Sequence, residues 1–433
     1  MVRKGQKIFQ PGIRIPDMKY LTEDKPIEIM PASKIVYISM SQGIGAPATP
    51  IVQVGDKVKK GQKIAEANGA ISANIFASVA GEVKAIEDIK NSMNVMEKII
   101  IIENDFSEEE MLLAPMSSVN KETIIARIQE AGIVGLGGAG FPTAVKLKPR
   151  NPVETLIING AECEPYLTCD YRLMIEKNEE VNKGIRYLAQ ALGVNTIKIG
   201  IEENKPKAIE KYKNVADFEL VTLKKRYPQG SEKSLIYVCT KRKVPSGKMP
   251  FDVGVVVLNI STAYAVYEAV EKNIPLYQRV LTIAGKGVEK PKNLAVRNGT
   301  KTDEIIAFCG GLNDEAIKII RGGPMMGKAM YTVDGFTKKT DSGVVVLTAD
   351  ETNTSKQSPC INCGRCARGC PMHLMPMKFD EYAQAERYDM AEKFGVMNCL
   401  ECGCCSFVCP AKRSIVQSVA LCKQKIRAKK GGK

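Results

Sequence analysis

The period of the apolar positions changes several times along the chain, and each change marks a unit. From Ile35 they alternate in short runs, KIVYISM, PIVQVGDKVKKGQKIAEA and NIFASVAGEVKAI, with Gly55-Asp56 and Lys60-Gly61 as turns. This predicts an all-β unit over 31–105. The stretch before it, 1–30, sets Pro11, Pro16 and Pro26 among charges and reads as an extended arm lying on another unit. The stretch after it, DFSEEEMLLAPMSSVN, reads as a linker. A helix follows over 121–131, capped by Ser118 or Asn120, with Ile124, Ile125 and Ile128 on one face. Strand and helix patterns then alternate: strand 155–158, helix 173–192, strand 196–201, helix 206–212, strand 218–223 and a buried strand 253–258. Such alternation predicts a parallel α/β sheet over 120–275. Strands return over 276–350, and the last unit, 351–433, carries one long helical pattern over 376–395.

Composition changes this picture little. The 433 residues are 44% hydrophobic, ample for several cores. The best membrane candidate, 253–270, is interrupted by Asn259, Ser261 and Thr262, so a soluble or peripheral chain is expected. The formal net charge of +14 is spread along the chain apart from a final KQKIRAKKGGK, and there is no Trp. With few aromatics to stack on bases, no nucleic-acid partner is expected. The basic tail reads as a solvated, frayed end, and if it binds anything, acidic partners or anionic headgroups suit it.

Cysteine changes it most. Ten of the fourteen cysteines lie from Cys360 to Cys422, and C-x2-C-x2-C-x3-C-P occurs twice: Cys360, Cys363, Cys366, Cys370-Pro371 and Cys399, Cys402, Cys405, Cys409-Pro410. Zinc would want two C-x2-C pairs, and disulfides an oxidising compartment, whereas the chain opens without a secretory signal and suggests a reducing cytoplasm. The double run is the bacterial two-cluster ferredoxin pattern, in which the last cysteine of each run serves the other cluster. It assigns Cys360, Cys363, Cys366 and Cys409 to one [4Fe–4S] cluster, and Cys399, Cys402, Cys405 and Cys370 to the second. Cys404, out of register beside Cys405, reads as a bystander thiol or an alternative ligand, and Cys422 as a small buried residue. His373 is the only histidine, so catalysis by imidazole elsewhere is excluded.

A second informative stretch is Gly135-Leu136-Gly137-Gly138-Ala139-Gly140-Phe141-Pro142-Thr143. It satisfies G-x-G-x-x-G literally, but a helix precedes it where a dinucleotide fold needs a strand. The better reading is a phosphate-facing loop of backbone amides with a helix restarting after it. The loop resembles the flavin loop of the NADH-binding subunit of respiratory complex I. That resemblance places Lys146 near the flavin phosphate and matches Asn159-Gly160-Ala161-Glu162-Cys163-Glu164-Pro165 to a flavin turn. It implies Asn159 and Glu162 at the flavin and Glu164 facing the nicotinamide nucleotide. Gly230 and Glu232 match a second turn, Asn259 and Thr262 a third. The family's usual Arg is here Leu136, and its usual Asp is Ala161. Cys163 and Cys169, with no third thiol nearby, do not read as metal ligands.

The β unit resembles the barrel-sandwich fold of lipoyl and biotinyl carriers, but the hairpin that should present a lysine reads Asn68-Gly69-Ala70-Ile71-Ser72. A docking or structural role is therefore expected. Residues 276–350 resemble a soluble-ligand-binding β-grasp (SLBB) module. The order of barrel-sandwich, flavin, β-grasp and helical ferredoxin units resembles the RnfC family of the Rnf electron-transport complex over essentially the full length. The resemblance implies FMN, NADH and two [4Fe–4S] clusters. It also implies a peripheral component on the cytoplasmic face of a bacterial membrane, working with a separate iron–sulfur partner of the Rnf type and with integral membrane subunits. Its activity would be ferredoxin:NAD+ oxidoreduction coupled to Na+ or H+ translocation, with electrons running NADH, flavin, first cubane, second cubane, partner. A cobalamin reductase-like flavin enzyme and a non-catalytic iron–sulfur relay are the alternatives.

Overall fold

The computed structural model describes residues 12–353 and 355–431; the rest of the arm and the last two residues of the basic tail lie outside the described residues. Four sheets organise it. The β unit is a sandwich of two antiparallel sheets. One has the order Lys57–Val58, Gly81–Lys90, Met96–Asn104, Ile35–Ser39, and the other Thr49–Pro50, Lys63–Glu66, Ile75–Phe76. Val36, Ile38, Ile64, Ile100 and Ile102 are fully buried between them, which is what the alternating pattern demands.

The α/β unit is built on a four-stranded, all-parallel sheet in the order Glu219–Leu223, Thr196–Glu202, Thr155–Gly160, Val255–Asn259. The chain moves outward from the central strand Thr155–Gly160 and then returns to its other side. This reversal creates a switch point where ligands of open α/β sheets bind. Helices Asn178–Leu192 and Ile260–Glu271 cover one face, and they approach so closely that a Cβ on Gly184 would lie 1.8 Å from the Ala263 carbonyl oxygen.

The helix expected over 173–192 is two helices, Cys169–Glu176 and Asn178–Leu192, broken at Lys177. The first docks on the arm, where the Glu176 carboxylate accepts from the Ile27 N–H at 3.2 Å. The second packs on Ile260–Glu271, so the two need different directions. Residues 27–29 of the arm form a strand pairing parallel with Lys292–Arg297. The third unit is thereby a six-stranded sheet that includes Gln278–Ala284, Gly343–Thr348 and Ala316–Arg321.

In the last unit the helix expected over 376–395 is also split, into Pro376–Gln384 and Tyr388–Lys393. Glu386 at φ 53° reverses the chain and brings Phe394 edge-on to Tyr382, with centroids 5.3 Å apart. The basic tail is not frayed through its described part: helix Ile415–Gly431 buries Cys422 and Ile426, and Lys423 donates to the Cys399 carbonyl at 2.7 Å. Among the described residues no helix is long and apolar enough to cross a membrane.

One buried lysine ties three units together. Lys339 donates through Nζ to the Asn74 carbonyl of the sandwich at 2.6 Å and to the Gly132 carbonyl of the α/β unit at 2.8 Å. Among the described residues no carboxylate pairs with it, and burial lowers its pKa to about 7.

Candidate flavin and iron–sulfur sites

The glycine loop is set by the helix before it. Asn120 caps helix Lys121–Glu130 by accepting from the Thr123 N–H at 3.0 Å. Past the helix, Gly135 N–H donates to the Phe141 carbonyl at 2.8 Å and closes the loop's neck. Within it, Leu136 N–H donates to Thr262 Oγ1 at 3.0 Å, and the Leu136 carbonyl accepts from the Arg279 guanidinium at 3.2 Å. Gly137, Gly138 and Ala139 stay exposed at its tip.

The loop lies directly on the switch point. Asn159 and Asn259 are register partners at the carboxyl ends of adjacent parallel strands. A Cβ on Gly137 would fall 2.9 Å from the Asn259 Cβ, whereas one on Gly138 would meet nothing within 4 Å. Glycine is therefore required at the first position by the protein and free at the second for a ligand. Asn259 caps helix Ile260–Glu271 through Ser261 N–H at 2.8 Å, while its amide donates to Asp170 at 2.6 Å. Ser261 Oγ donates to the other Asp170 oxygen at 2.6 Å. Asp170 is a site residue that sequence reasoning misses; only its place in the first turn of a helix after the flavin turn hints at it.

Across the switch point, Asn159 donates to the Gly230 carbonyl at 2.8 Å, and Lys146 pairs with Glu232 at 2.6 Å. The structure thus joins Gly137 to Asn259, Leu136 to Thr262, Asn159 to Gly230 and Lys146 to Glu232 around the switch point, with Gly138 and Ala139 exposed at its opening. Gly135, Gly140, Phe141 and Thr143 form its neck and base: Gly140 holds φ 70°, and Thr143 is fully buried. These residues fit a phosphorylated flavin: exposed glycine backbone, a half-exposed lysine and amide side chains converge, with open space above Gly138.

The two turn carboxylates are placed differently. Glu162, at φ 41°, accepts from the Asp170 N–H at 2.7 Å and lies 3.8 Å from the buried Lys19 of the arm. Burial raises its pKa to about 7. Glu164 accepts from the Met325 and Met326 N–H groups at 3.1 and 2.9 Å and from the Tyr227 hydroxyl at 3.3 Å. Burial raises its pKa to about 6. Both carboxylates are engaged by the arm and the β-grasp unit, which the chain sequence could not place beside them.

The cysteine unit repeats its backbone as well as its spacing. Asn362 and Gly364 in the first run, and Glu401 and Gly403 in the second, take left-handed φ at equivalent positions. So do His373 and Lys412, each three residues past the last cysteine of its run. Cys360, Cys363, Cys366 and Cys409 line one small cavity. Cys370, Cys399 and Cys402 all lie close enough to Cys405 to raise its pKa alongside the dominant effect of burial. Main-chain N–H groups of Leu374 and Glu401 point at Cys370 and Cys399 Sγ, at 3.4 and 3.3 Å. Such bonds tune cluster potentials. Among the described residues no three Cys, His, Asp or Glu side chains form a compact single-ion group.

Four family models match in order: RnfC barrel sandwich hybrid domain over 7–107, Nuo51 FMN-binding domain over 128–268, SLBB domain over 280–329 and 4Fe-4S dicluster domain over 359–412. Full-length relatives agree. The chain is 46% identical to the C subunit of a proton-translocating ferredoxin:NAD(+) oxidoreductase complex of Clostridium ljungdahlii, over 98% of this chain and 94% of the relative. It is 40% identical to the corresponding subunit of a Na(+)-translocating complex of Acetobacterium woodii, over 98% of each. The C subunit of an ion-translocating oxidoreductase complex of Rhodobacter capsulatus is 42% identical, over 98% of this chain and 84% of the relative.

The chain belongs to the RnfC family.

In this RnfC protein the two cysteine quartets are not equivalent. The second run packs on the flavin unit and on the β-grasp unit: Cys404 Sγ lies 3.9 Å from the Tyr227 carbonyl of the first, and a Cβ on Gly403 would lie 2.6 Å from the Met325 carbonyl of the second. In the first run Cys360 is exposed and its neighbour Ile361 is 66% exposed. The expected electron order, first cubane before second, does not fit this placement. Cys402 and Cys404 cluster with Tyr227 and Cys163 of the flavin unit, whereas the other quartet lines a cavity within the cysteine unit, so the Cys370/Cys399/Cys402/Cys405 quartet is the proximal one and the other the distal.

Proposed function

We propose that this RnfC protein is the peripheral NADH-exchanging arm of an ion-translocating ferredoxin:NAD+ oxidoreductase at the cytoplasmic face of a bacterial membrane. Electrons pass between NADH, FMN, the proximal quartet, the distal quartet, and the iron–sulfur and membrane-integral partner subunits. The observation that carries this is a single junction. The Tyr227–Gly230 turn has its Gly230 carbonyl held by Asn159 at the flavin opening, and its Tyr227 carbonyl lies against Cys404 of the proximal run.

FMN, when bound, converts the two-electron hydride of NADH into single electrons that iron–sulfur clusters accept. The chain's own residues position and insulate. Lys146, paired with Glu232 at 2.6 Å, supplies positive charge at the edge of the site, and Thr262 fixes the loop through Leu136. Asp170 anchors Asn259. Tyr227 is 2% exposed and keeps solvent out of the gap between turn and cluster. Hydride transfer needs no protein acid or base, which suits a chain with one exposed histidine in its cysteine unit.

The test is an anaerobic NADH titration of the reconstituted protein, following flavin and iron–sulfur absorbance together. Joint bleaching near stoichiometric NADH supports the reading. Clusters reduced by dithionite but not by NADH, with no flavin retained, would leave only an electron relay.

A further inference from the structure

The sandwich hairpin Asn68–Ser72, which carries no lysine, is planted beside the glycine loop. Ile44 N–H donates to the Ala139 carbonyl at 2.9 Å, and a Cβ on Gly43 would fall 2.5 Å from the Gly140 carbonyl oxygen. Ile71 follows directly: its carbonyl accepts from Ala46 N–H at 2.9 Å, and its Cγ2 lies 2.7 Å from where a Gly45 Cβ would be. The contact is braced by Asn74, whose amide donates to the Glu130 carbonyl at 3.1 Å, and by Lys339.

Two aliphatic side chains are left facing solvent here: Ile44 is 53% exposed and Ile71 41%. Their neighbours Gly43, Gly45, Ala46, Gly69 and Ala70 are small, and neither SQGIGAP nor ANGAIS contains a charge, in a chain that is 25% charged. An uncharged shelf of small residues with two exposed isoleucines, continuous with an anion-binding loop, matches a ligand with a flat apolar ring joined to phosphates.

We propose that Ile44 and Ile71 form the wall against which the adenine half of the dinucleotide packs, so that the sandwich unit completes the substrate site and favours the dinucleotide over its mononucleotide half. The proposal rests on the NADH-exchanging reading above. The nicotinamide must reach the flavin at the switch point, and the shelf joins the glycine loop through Ile44 and Ala139, so the adenosine end of the dinucleotide extends past the loop to reach it.

The test compares holoprotein with I44S, I71S and the double variant. Calorimetry measures binding of ADP-ribose, which has the adenine half without nicotinamide, and flavin bleaching compares NADH with reduced nicotinamide mononucleotide. The double variant should bind ADP-ribose about tenfold more weakly, about 1.4 kcal/mol. Its preference for NADH over the mononucleotide should fall by a similar factor, while I44V retains both. Unchanged ADP-ribose binding, or equal losses for both donors, overturns the wall. Wild-type flavin that NADH fails to bleach overturns the functional reading itself, and the wall with it.

Discussion

Cys404 Sγ lies 3.9 Å from the carbonyl oxygen of Tyr227, residues 177 positions apart in the chain, and this contact brings the second cysteine run against the flavin unit. Removing a ligand from each quartet separates the two orders. In C402S, NADH should bleach the flavin while the distal cluster stays oxidised; in C360S, the proximal cluster should still be reduced. Electron paramagnetic resonance during NADH titration reads both. C404S should retain both clusters. A distal cluster still reduced in C402S would restore the opposite order.

Glycine 137 and glycine 138 should answer the same substitution differently. An alanine at 137 must displace Asn259, 2.9 Å from its Cβ, so G137A should lose about 1–3 kcal/mol of stability as an overpacked contact. G138A meets no protein atom within 4 Å and should melt like the wild type, yet bind FMN more weakly because its methyl occupies ligand space. K146M should cost about tenfold in FMN affinity, a charge-assisted hydrogen bond's worth, and leave riboflavin binding nearly unaltered. Thermal denaturation and fluorescence titration check these. Equal melting temperatures for the two alanine variants would show that the loop is not pressed on Asn259.

What is legible in the sequence is what is local in it. The cysteine runs, the capping residue Asn120 and the strand–helix alternation each depend on neighbours a few residues away. The features that escape depend on long-range partners. Lys19 donates to the carbonyls of Glu164 and Leu167, well over one hundred residues on, and Arg279 reaches back to Leu136. Nothing near Lys339 marks it as buried, because its acceptors Asn74 and Gly132 belong to two other units. The helix breaks at Lys177 and Glu386 have the same origin: docking directions, not local propensity, decide them. The flavin-turn motif puts Glu162 and Glu164 at the opening, but their oxygens answer to the arm and the β-grasp loop.

Buried groups give stability an unusual dependence on pH. Glu162 and Glu202 are both raised from 4.5 to about 7 by burial, so between those values the folded state holds more protons than the unfolded one. Stability therefore falls as pH rises through that window. Lys339 is lowered from 10.5 to about 7, so above 7 the unfolded state holds the extra proton and stability rises again. A shallow minimum near neutrality is expected in denaturant titrations between pH 5 and 9. In K339M the rise above neutrality should become shallower, by at most about 1.4 kcal/mol per pH unit for one group, with buried Lys205 and Lys338, also lowered by burial, supplying what remains. A rise of unchanged slope in K339M would assign it to other residues.

Asp170 should matter to the flavin without touching it. Its two oxygens accept from Asn259 and Ser261, both at 2.6 Å, and it is 9% exposed. D170A leaves the Asn259 amide without its anchor, so the asparagine beneath Gly137 can rotate and the loop above it loses its seat. The stability loss should be about 2–3 kcal/mol, the scale for a buried charged hydrogen-bond acceptor. FMN affinity should drop about tenfold, and D170N, which keeps one acceptor oxygen, should recover part of both. A purely structural role predicts a lower melting temperature with unchanged FMN affinity measured well below it. A positioning role predicts that the affinity falls even there, and that riboflavin and FMN weaken together if the displaced group is the ring-facing amide, or FMN alone if it is the phosphate loop.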